Sequence, residues 1–363
     1  MLDELEQVGF IRREAATPGA TALLTRPQAR PSLGEALRLV QLKPLQPKPA
    51  QPKTSPLSAS VFHEPWWLDC VAPGRWAEAS VAGKARLPYL LPRKGFFKHS
   101  GMPSFTSVLG PVLASGSGSP RTRQALDMGT TMELIDQLPR FDSFDQTIDG
   151  TAENFLGFQA RGFKIGLMHS VELDCKVDAK LLWAGMRDKT RNVIRRADER
   201  FSVDRLADPE EFVDFYIANI ERRDAQNERE FERFPDLFAA CTNRDAGAIF
   251  AARNEAGDLA AAIFVAWGHG AMHFLLSTRH AEKADAGAVS LLLWHAMQEA
   301  QRRQVTFDFD GVLTAGTAKF VLGFGGKLVS RHVVKRVSAR YYPRMAFREF
   351  RASQRDGVET FRF

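Results

Sequence analysis

The sequence predicts an α/β fold built on a mixed (α+β) sheet. Three apolar strands, over 247–253, 259–267 and 271–277, are separated only by short turns, which is typical of an antiparallel meander. A helix predicted over 288–303 then leads directly into an alternating strand over 305–310. Because strands and helices do not alternate one for one, a mixed sheet is expected rather than a doubly wound parallel one.

The composition is that of a folded chain with a packed core. Hydrophobic residues make up 44% and charged residues 25% of the 363 residues, close to the averages for globular domains. The formal net charge of +6 suits an anionic partner without identifying it. The three cysteines form no close pair and no cluster with histidine, so we expect neither disulfides nor a metal site. No signal-peptide pattern and no apolar membrane span is found, and we expect a cytoplasmic protein.

The chain divides into three predicted regions. Residues 1–60 combine a short helix, which a capping box at Ser32 and Glu35 predicts, with a Pro- and Lys-rich linker over 43–56. Residues 61–173 and 174–363 form two segments that each mix strands and helices.

The elements of the first segment are a hairpin, two helices and two further strands. The hairpin is predicted over 75–93, the helices over 120–138 and 151–161, and the strands over 144–148 and 164–173.

The second segment opens with a helix predicted over 179–201. Its apolar residues form one stripe, while Arg191 and Arg195 lie on a stripe roughly opposite. A second helix is predicted from Pro209, with Asp208 as its N-cap, and a last strand over 327–337.

Two carboxylates end the strand over 305–310. Alternation places Phe307 and Phe309 on one face, and Asp308 and Asp310 on the other. The pair fits a general base or a substrate-orienting group. It fits equally well a structural ion pair with an arginine such as Arg191 or Arg195, and both alternatives stay open.

Several strings of the second segment resemble the FemAB-like branch of the GNAT acyltransferase superfamily. They are Arg187-Asp-Lys-Thr-Arg-Asn-Val-Ile-Arg-Arg-Ala197, Leu275-Leu-Ser-Thr-Arg279 and Phe320-Val-Leu-Gly-Phe-Gly-Gly326. The resemblance implies two tandem GNAT-like halves that transfer an acyl or aminoacyl group to an amine. The implied acceptor is a cell-envelope peptide or sugar precursor, and the function is that of an N-acyltransferase.

The resemblance also implies a set of site residues. In the reaction the acceptor amine attacks the donor carbonyl, and backbone N–H groups near 276–278 stabilise the oxyanion. The catalytic candidates are Asp310, Asp308 and Tyr216. The candidates for donor binding are Ser277, Arg279, Gly287, Arg191, Arg195, Lys319, Phe320 and Phe324.

The donor implied by the resemblance is acyl-CoA or aminoacyl-tRNA, used as a co-substrate with no permanently bound cofactor. Against acyl-CoA, Glu282 stands where a pyrophosphate-binding turn has glycine. Against tRNA, Val321 stands where the tRNA-using members have lysine. A loop over 101–111, rich in Gly and Pro, is a candidate lining of the acceptor groove.

The expected partners are a small-molecule or glycopeptide acceptor, with tRNA as a possible donor carrier and no DNA. A basic run from Arg331 to Arg351 is compatible with peripheral contact to an anionic membrane. The alternative function is a catalytically silent GNAT-fold module that binds an anionic polymer or an assembly partner.

A first prediction concerns the N-terminal region. Since residues 1–56 read as a short helix and a linker, their deletion should leave the melting temperature within a few degrees of the full chain. Thermal unfolding followed by circular dichroism measures this. A fall of roughly 10 °C or more would show that the region packs on the core.

Overall fold

The computed structural model describes residues 57–347 apart from 93–94, 115–118, 150–154, 220–230, 281–285 and 312–313. The predicted helix near Ser32, the Pro-rich linker and Glu282 lie outside the described residues. Within the described part of the chain, no helix combines the length and apolar character needed to cross a membrane.

Strands and helices follow one another along the whole described chain. The strands are β1 (Trp76–Val81), β2 (Ala85–Leu90), β3 (His99–Ser100), β4 (Val112–Leu113), β5 (Ser143–Ile148), β6 (Lys164–Asp174), β7 (Ser202–Leu206), β8 (Gly247–Arg253), β9 (Leu259–Gly268), β10 (Ala271–Arg279), β11 (Thr306–Asp308) and β12 (Lys327–Val337). The helices are α1 (Pro65–Val71), α2 (Pro120–Asp136), α3 (Phe155–Ala160), α4 (Ala179–Gly185), α5 (Asp188–Asp198), α6 (Pro209–Asn219), α7 (Phe234–Asn243), α8 (Ala286–Arg303) and α9 (Ala315–Val321), with short 3₁₀ turns at Val61–His63 and Leu322–Phe324.

One large mixed sheet organises the molecule. Among the described residues it has nine strands in the order β3-β5-β12-β6-β11-β10-β9-β8-β7, and a smaller sheet has the order β1-β2-β4. β10 pairs with β11 in parallel, whereas β8, β9 and β10 form an antiparallel meander. The mixed α/β sheet predicted from the sequence is therefore confirmed.

The last strand of the described chain lies inside the sheet. β12 pairs antiparallel with β5 on one side and with β6 on the other. Strands from both predicted segments therefore belong to one continuous sheet. The division of the chain at residue 173 stays a prediction.

Helices cover both faces of the meander. Ile263 and Val265 of β9 pack in a core with α5 and α8, while Ala262 and Phe264 pack on the opposite face with α6 and α7. This follows from the alternation of side chains along a strand. An almost continuous apolar strand is the pattern of a strand that is buried on both faces.

The helix predicted over 179–201 is wrong as a single element. It is two helices, α4 and α5, separated by extended backbone at Met186 and Arg187, where ψ is 151° and 143°. The N–H of Arg187 donates to the carbonyl of Gly323 at 2.9 Å. Because Met186 stays buried across the break, the apolar periodicity continues and does not reveal it.

The start of α8 packs tightly against α5. A Cβ atom at Gly287 would lie 2.9 Å from the Cβ of Ala197, closer than two carbon atoms can approach. Gly287 therefore permits the close approach of two helices. The role predicted for it in donor binding is separate from this packing role and stays a prediction.

We expect Gly287→Ala to lower the free energy of unfolding by about 1–3 kcal/mol, because the new methyl group must push α8 away from α5. Gly129 in α2 is a matched control, since nothing lies within 4 Å of a Cβ there. Gly129→Ala should raise stability by about 0.5–1 kcal/mol. Urea unfolding measures both. A Gly287→Ala protein as stable as the wild type would contradict the packing role.

Candidate functional site

A buried guanidinium joins the two predicted carboxylates. Arg331 of β12 donates from Nη2 to Asp308 and from Nη1 to Oδ1 of Asp310, the latter at 2.8 Å. Asp308 also accepts hydrogen bonds from Ser170 Oγ at 2.5 Å and from the backbone N–H of Asp310 at 3.0 Å. His273 Nδ1 lies 3.2 Å from Asp308 Oδ2. Arg331 and Asp308 are only 5% and 3% exposed, so this is an ion pair removed from water.

Asp310 is the accessible carboxylate of the two. Its side chain is 24% exposed. The backbone at Asp310 and Gly311 is left-handed, with φ of 49° and 48°, so the chain turns sharply just after β11. Ser107 Oγ donates to Asp310 Oδ2 at 2.5 Å. The loop over 101–111, predicted to line an acceptor groove, therefore contacts this carboxylate directly.

Burial and ion pairing shift the pKa values of Asp308 and Arg331 in opposite directions. Burial raises the pKa of Asp308, but the hydrogen bond with His273 and the charge of Arg331 together hold it well below its usual range. Burial lowers the pKa of Arg331, and the charges of Asp308 and Asp310 outweigh this and raise it. A carboxylate with so low a pKa is a weak base. Asp308 therefore acts as the counter-ion of Arg331.

A further carboxyl group lies next to this network. Glu172 of β6 stands directly opposite Asp308 in the antiparallel register. Burial raises the pKa of Glu172, and the charges of Asp308 and Asp149 raise it further. No sequence pattern selects Glu172, because its position depends on the pairing of β6 with β11.

The sheet opens between β10 and β11. The two strands pair only over 271–273 and 306–308, while β10 continues to Arg279 along β9. Within the described ranges, no strand pairs with the other edge of residues 274–279. The register with β9 also shifts between Phe274 and Leu276, which indicates a bulge at the start of the opening.

Backbone donors point into this opening. The N–H of His280 donates to the carbonyl of Ala260 on the β9 side. Since N–H groups alternate sides along an antiparallel strand, those of Ser277 and Arg279 point away from β9. The side chain of Ser277 is exposed and that of Arg279 half-buried. Ser277 lies at the centre of the stretch predicted to stabilise an oxyanion.

Two predicted donor-binding arginines lie elsewhere. Arg191 Nη1 donates to the carbonyl of Ala184 at 2.9 Å, and Arg191 also pairs with Asp188. The guanidinium of Arg195 lies 5.6 Å from the ring centre of Trp183. Both arginines thus contact α4 or their own helix. The suggestion that either of them neutralises the aspartate pair is wrong, because α5 packs on the opposite face of the sheet and Arg331 is the partner.

The predicted Phe-Gly-Gly string packs beside α4. Phe324 is fully buried and lies 5.5 Å from the ring of Phe309, while Phe320 is 37% exposed and lies 5.5 Å from Phe324. Lys319 is exposed on α9. A Cβ at Gly325 would lie 2.6 Å from a carbonyl oxygen at the end of α4. The glycine is thus needed for packing, and the donor-binding roles of these residues stay predictions.

Tyr216 lies in an aromatic cluster on the same side of the sheet as Asp308. Its ring is 4.5 Å from that of Phe231, which in turn lies 5.4 Å from Phe105 in the loop over 101–111. Burial raises the pKa of Tyr216. Its catalytic role stays a prediction.

The residues that sequence reasoning missed are the partners of the aspartates. Arg331, His273 and Ser170 come from three different strands, and only the strand order brings them together. Ser107 had a signal, because it lies in a loop already selected as a groove lining. Among the described residues, no three His, Cys, Asp or Glu side chains are placed to hold a metal ion.

We expect Arg331→Met to lower the free energy of unfolding by about 3–5 kcal/mol near neutral pH, since it leaves a buried carboxylate unpaired. In the wild type, the depressed pKa of Asp308 contributes stability above the unfolded pKa of about 4, and this is lost as the pH falls through the folded pKa. In the variant the charge of Arg331 is gone, and burial raises the pKa of Asp308 above its unfolded value. The folded state therefore gains stability as Asp308 takes up a proton. The deficit should therefore shrink between about pH 7 and pH 4.5 in urea unfolding. A deficit that does not change with pH would contradict a charged Asp308.

Comparisons with known proteins identify one domain and a shared fold. Residues 184–319 match the model of the acetyltransferase (GNAT) domain. The structure of FemX aligns with 84% of this chain and 96% of its own, with a TM-score of 0.54 at 12% identity. The C-terminal domain of a putative lysylphosphatidylglycerol synthetase from Agrobacterium fabrum aligns with 77% of this chain and 90% of its own (TM-score 0.49, 14% identity). A tandem GNAT protein of clavulanic acid biosynthesis aligns with 74% of this chain and 86% of its own (TM-score 0.48, 15% identity).

A comparison with curated protein sequences gives no match. The domain match confirms the predicted resemblance to the GNAT superfamily, and the FemX structure shares the fold of this chain. Residues 184–319 therefore form an acetyltransferase (GNAT) domain within this chain.

Proposed function

We propose that this protein is an N-acyltransferase that moves an acyl or aminoacyl group from a carrier to an amine of a cell-envelope peptide or sugar precursor. The observation that carries the proposal is the opening of the sheet at Ser277, where no strand of the described residues pairs with β10, beside the end of β11 and Asp310 in a segment that matches the GNAT domain. The N–H of Ser277 points into this opening, which suits an extended acyl carrier.

The backbone supplies the oxyanion site in this proposal. The neutral amine attacks the donor carbonyl carbon, and the oxygen gains negative charge in the tetrahedral intermediate. The N–H of Ser277 points into the opening and would donate to that oxygen. The bond to the carrier then breaks, and the carrier leaves with a proton from solvent.

Asp310 supplies the polar group for the acceptor. Arg331 and Ser107 each hold one of its oxygens, so the carboxylate has a fixed orientation. Its partial exposure leaves it open to an incoming amine, whereas Asp308 is closed off by its partners. We assign Asp310 to orienting the amine and accepting its proton, and Asp308 to holding Arg331 in place.

The donor is either acyl-CoA, which GNAT domains use, or aminoacyl-tRNA. Gly287 has a packing role that does not require a pyrophosphate. The arginines of α5 favour the tRNA-borne donor, and so does Glu282, which stands where a pyrophosphate-binding turn has glycine. The loop that carries Glu282 lies outside the described residues.

One observation favours the alternative, a catalytically silent binding module. Both carboxylates are bound to Arg331, as they would be in a network that only stabilises the fold. In that case the opening at β10 would hold an anionic polymer or an assembly partner without reaction. The partial exposure of Asp310 is the reason to prefer the transferase.

The donor preference gives a prediction. If tRNA carries the donor, its binding should weaken steeply with salt, and Arg191→Ala should weaken it for all tRNA sequences. Arg196→Ala is a matched control, because Arg196 is exposed on the same helix. Filter binding measures the affinity. Calorimetry that shows tight acyl-CoA binding and no affinity for tRNA would reverse the preference.

The catalytic carboxylate gives another prediction. Asn tolerates the left-handed backbone that Asp310 adopts and keeps an oxygen for Arg331. We expect Asp310→Asn to lower turnover by roughly 10²-fold or more, with little change in stability. The assay follows release of the carrier from either donor in the presence of amine acceptors.

Ser107→Ala is the control for that substitution. It removes one hydrogen bond to Asp310 and keeps the carboxylate, so turnover should fall far less. An Asp310→Asn protein that is folded and fully active would remove Asp310 from the mechanism. A large loss of stability would instead support the purely structural alternative.

A further inference from the structure

Two phenylalanine rings project into solvent at the end of β12 that lies farther from Arg331. Phe96 is 79% exposed and Phe347 is 60% exposed. Large apolar groups that stay exposed at the same end of a sheet indicate a surface that contacts a partner. Phe96 lies in the segment before β3, and residues 342–347 are helical after β12.

Basic side chains lie against Phe96 and its neighbour Phe97. Arg340 lies 5.5 Å from the ring centre of Phe96, and Arg344 lies 5.7 Å from that of Phe97. Arg344 and Phe347 are three residues apart in the helix over 342–347 and lie on one side of it, while Arg340 lies in the turn before the helix. We call Phe96, Lys98, Arg340, Arg344 and Phe347 the aromatic-basic surface.

The aromatic-basic surface is fixed in place. Arg340 donates from Nη2 to Asp142 at 2.6 Å and also pairs with its other oxygen. The ring of Phe97 lies 5.1 Å from that of the buried Tyr341. The surface is therefore presented by a rigid base, which lowers the entropy cost of binding.

The charge of the surface is positive. The segments over 95–99 and 338–347 contain no Asp or Glu, and the side chain of Asp142 pairs with that of Arg340. Lys98 and Arg344 are exposed and add two positive charges. A partner with a negative surface is therefore complementary.

We propose that the aromatic-basic surface binds peripherally to a membrane that carries anionic lipids. Aromatic rings at the headgroup level together with Arg and Lys near the phosphates are the usual elements of such contacts. Nucleic-acid bases would need open ring faces for stacking. Here arginines already lie over the faces of Phe96 and Phe97, and the two rings are perpendicular, at 90°.

This surface is separate from the site at Arg331. Val337 lies six residues after Arg331 in β12, a distance of about 20 Å along the strand. Changes at the aromatic-basic surface should therefore leave the carboxylate network intact. The proposal holds whether or not the protein is an active transferase.

The test is co-sedimentation of the full chain with vesicles of phosphatidylcholine, with and without about 30% phosphatidylglycerol. We expect binding only to the anionic vesicles, and weaker binding at about 0.5 M than at 0.1 M salt. The double variant Phe96→Ala/Phe347→Ala should lose roughly tenfold in partitioning. Arg344→Glu should lose on the order of tenfold as well, because it reverses a charge.

The matched control lies on α2, where Leu126 is also exposed, by 58%, and Arg123 is exposed too. Leu126→Ala/Arg123→Glu should leave vesicle binding unchanged, which excludes a general effect of net charge. Three results would overturn the proposal. They are no binding of the wild type to anionic vesicles, equal binding by the surface variants, and loss of tRNA binding in those variants with vesicle binding intact.

Discussion

The buried pairing of Arg331 with Asp308 is the interaction on which the rest of the site depends. Removing both charges from water is costly, and the cost is offset only when every remaining hydrogen-bonding position is occupied. Asp308 meets this condition through Ser170, His273 and the N–H of Asp310. These groups come from different strands, so the ion pair requires β12, β6, β11 and β10 to lie in that order.

The same network explains why the sheet opens. β11 ends at Asp308, and the left-handed residues that follow turn the chain away from β10. β10 does not end at the same level, because it continues to pair with β9 as far as Arg279. The opening thus arises because β11 ends at Asp308, within the polar network, while β10 extends further. The chemistry proposed for the site rests on this termination.

Features that depend on contacts between residues close in sequence could be predicted, and features that depend on contacts between distant residues could not. β8 and β12 have the predicted bounds, and the N-cap of α6 at Asp208 is present, because local patterns determine them. The break between α4 and α5 was missed, since the contact of Arg187 with Gly323 is distant in sequence. The aspartates were found because they alternate with phenylalanines. Their arginine was not, since Arg331 lies in a run of basic residues and only the pairing of β12 selects it.

The geometry at residue 310 distinguishes a site from a plain structural turn. A left-handed backbone costs roughly 1–2 kcal/mol for a residue with a Cβ, and glycine would make the same turn without this cost. Gly311 already supplies one left-handed residue. The aspartate side chain therefore has its own task, which includes binding Arg331 and Ser107. Asp308 alone can neutralise the buried guanidinium of Arg331, so neutralisation does not require Asp310. The second carboxylate, which stays partly exposed, instead provides a fixed hydrogen-bond acceptor at the mouth of the opening.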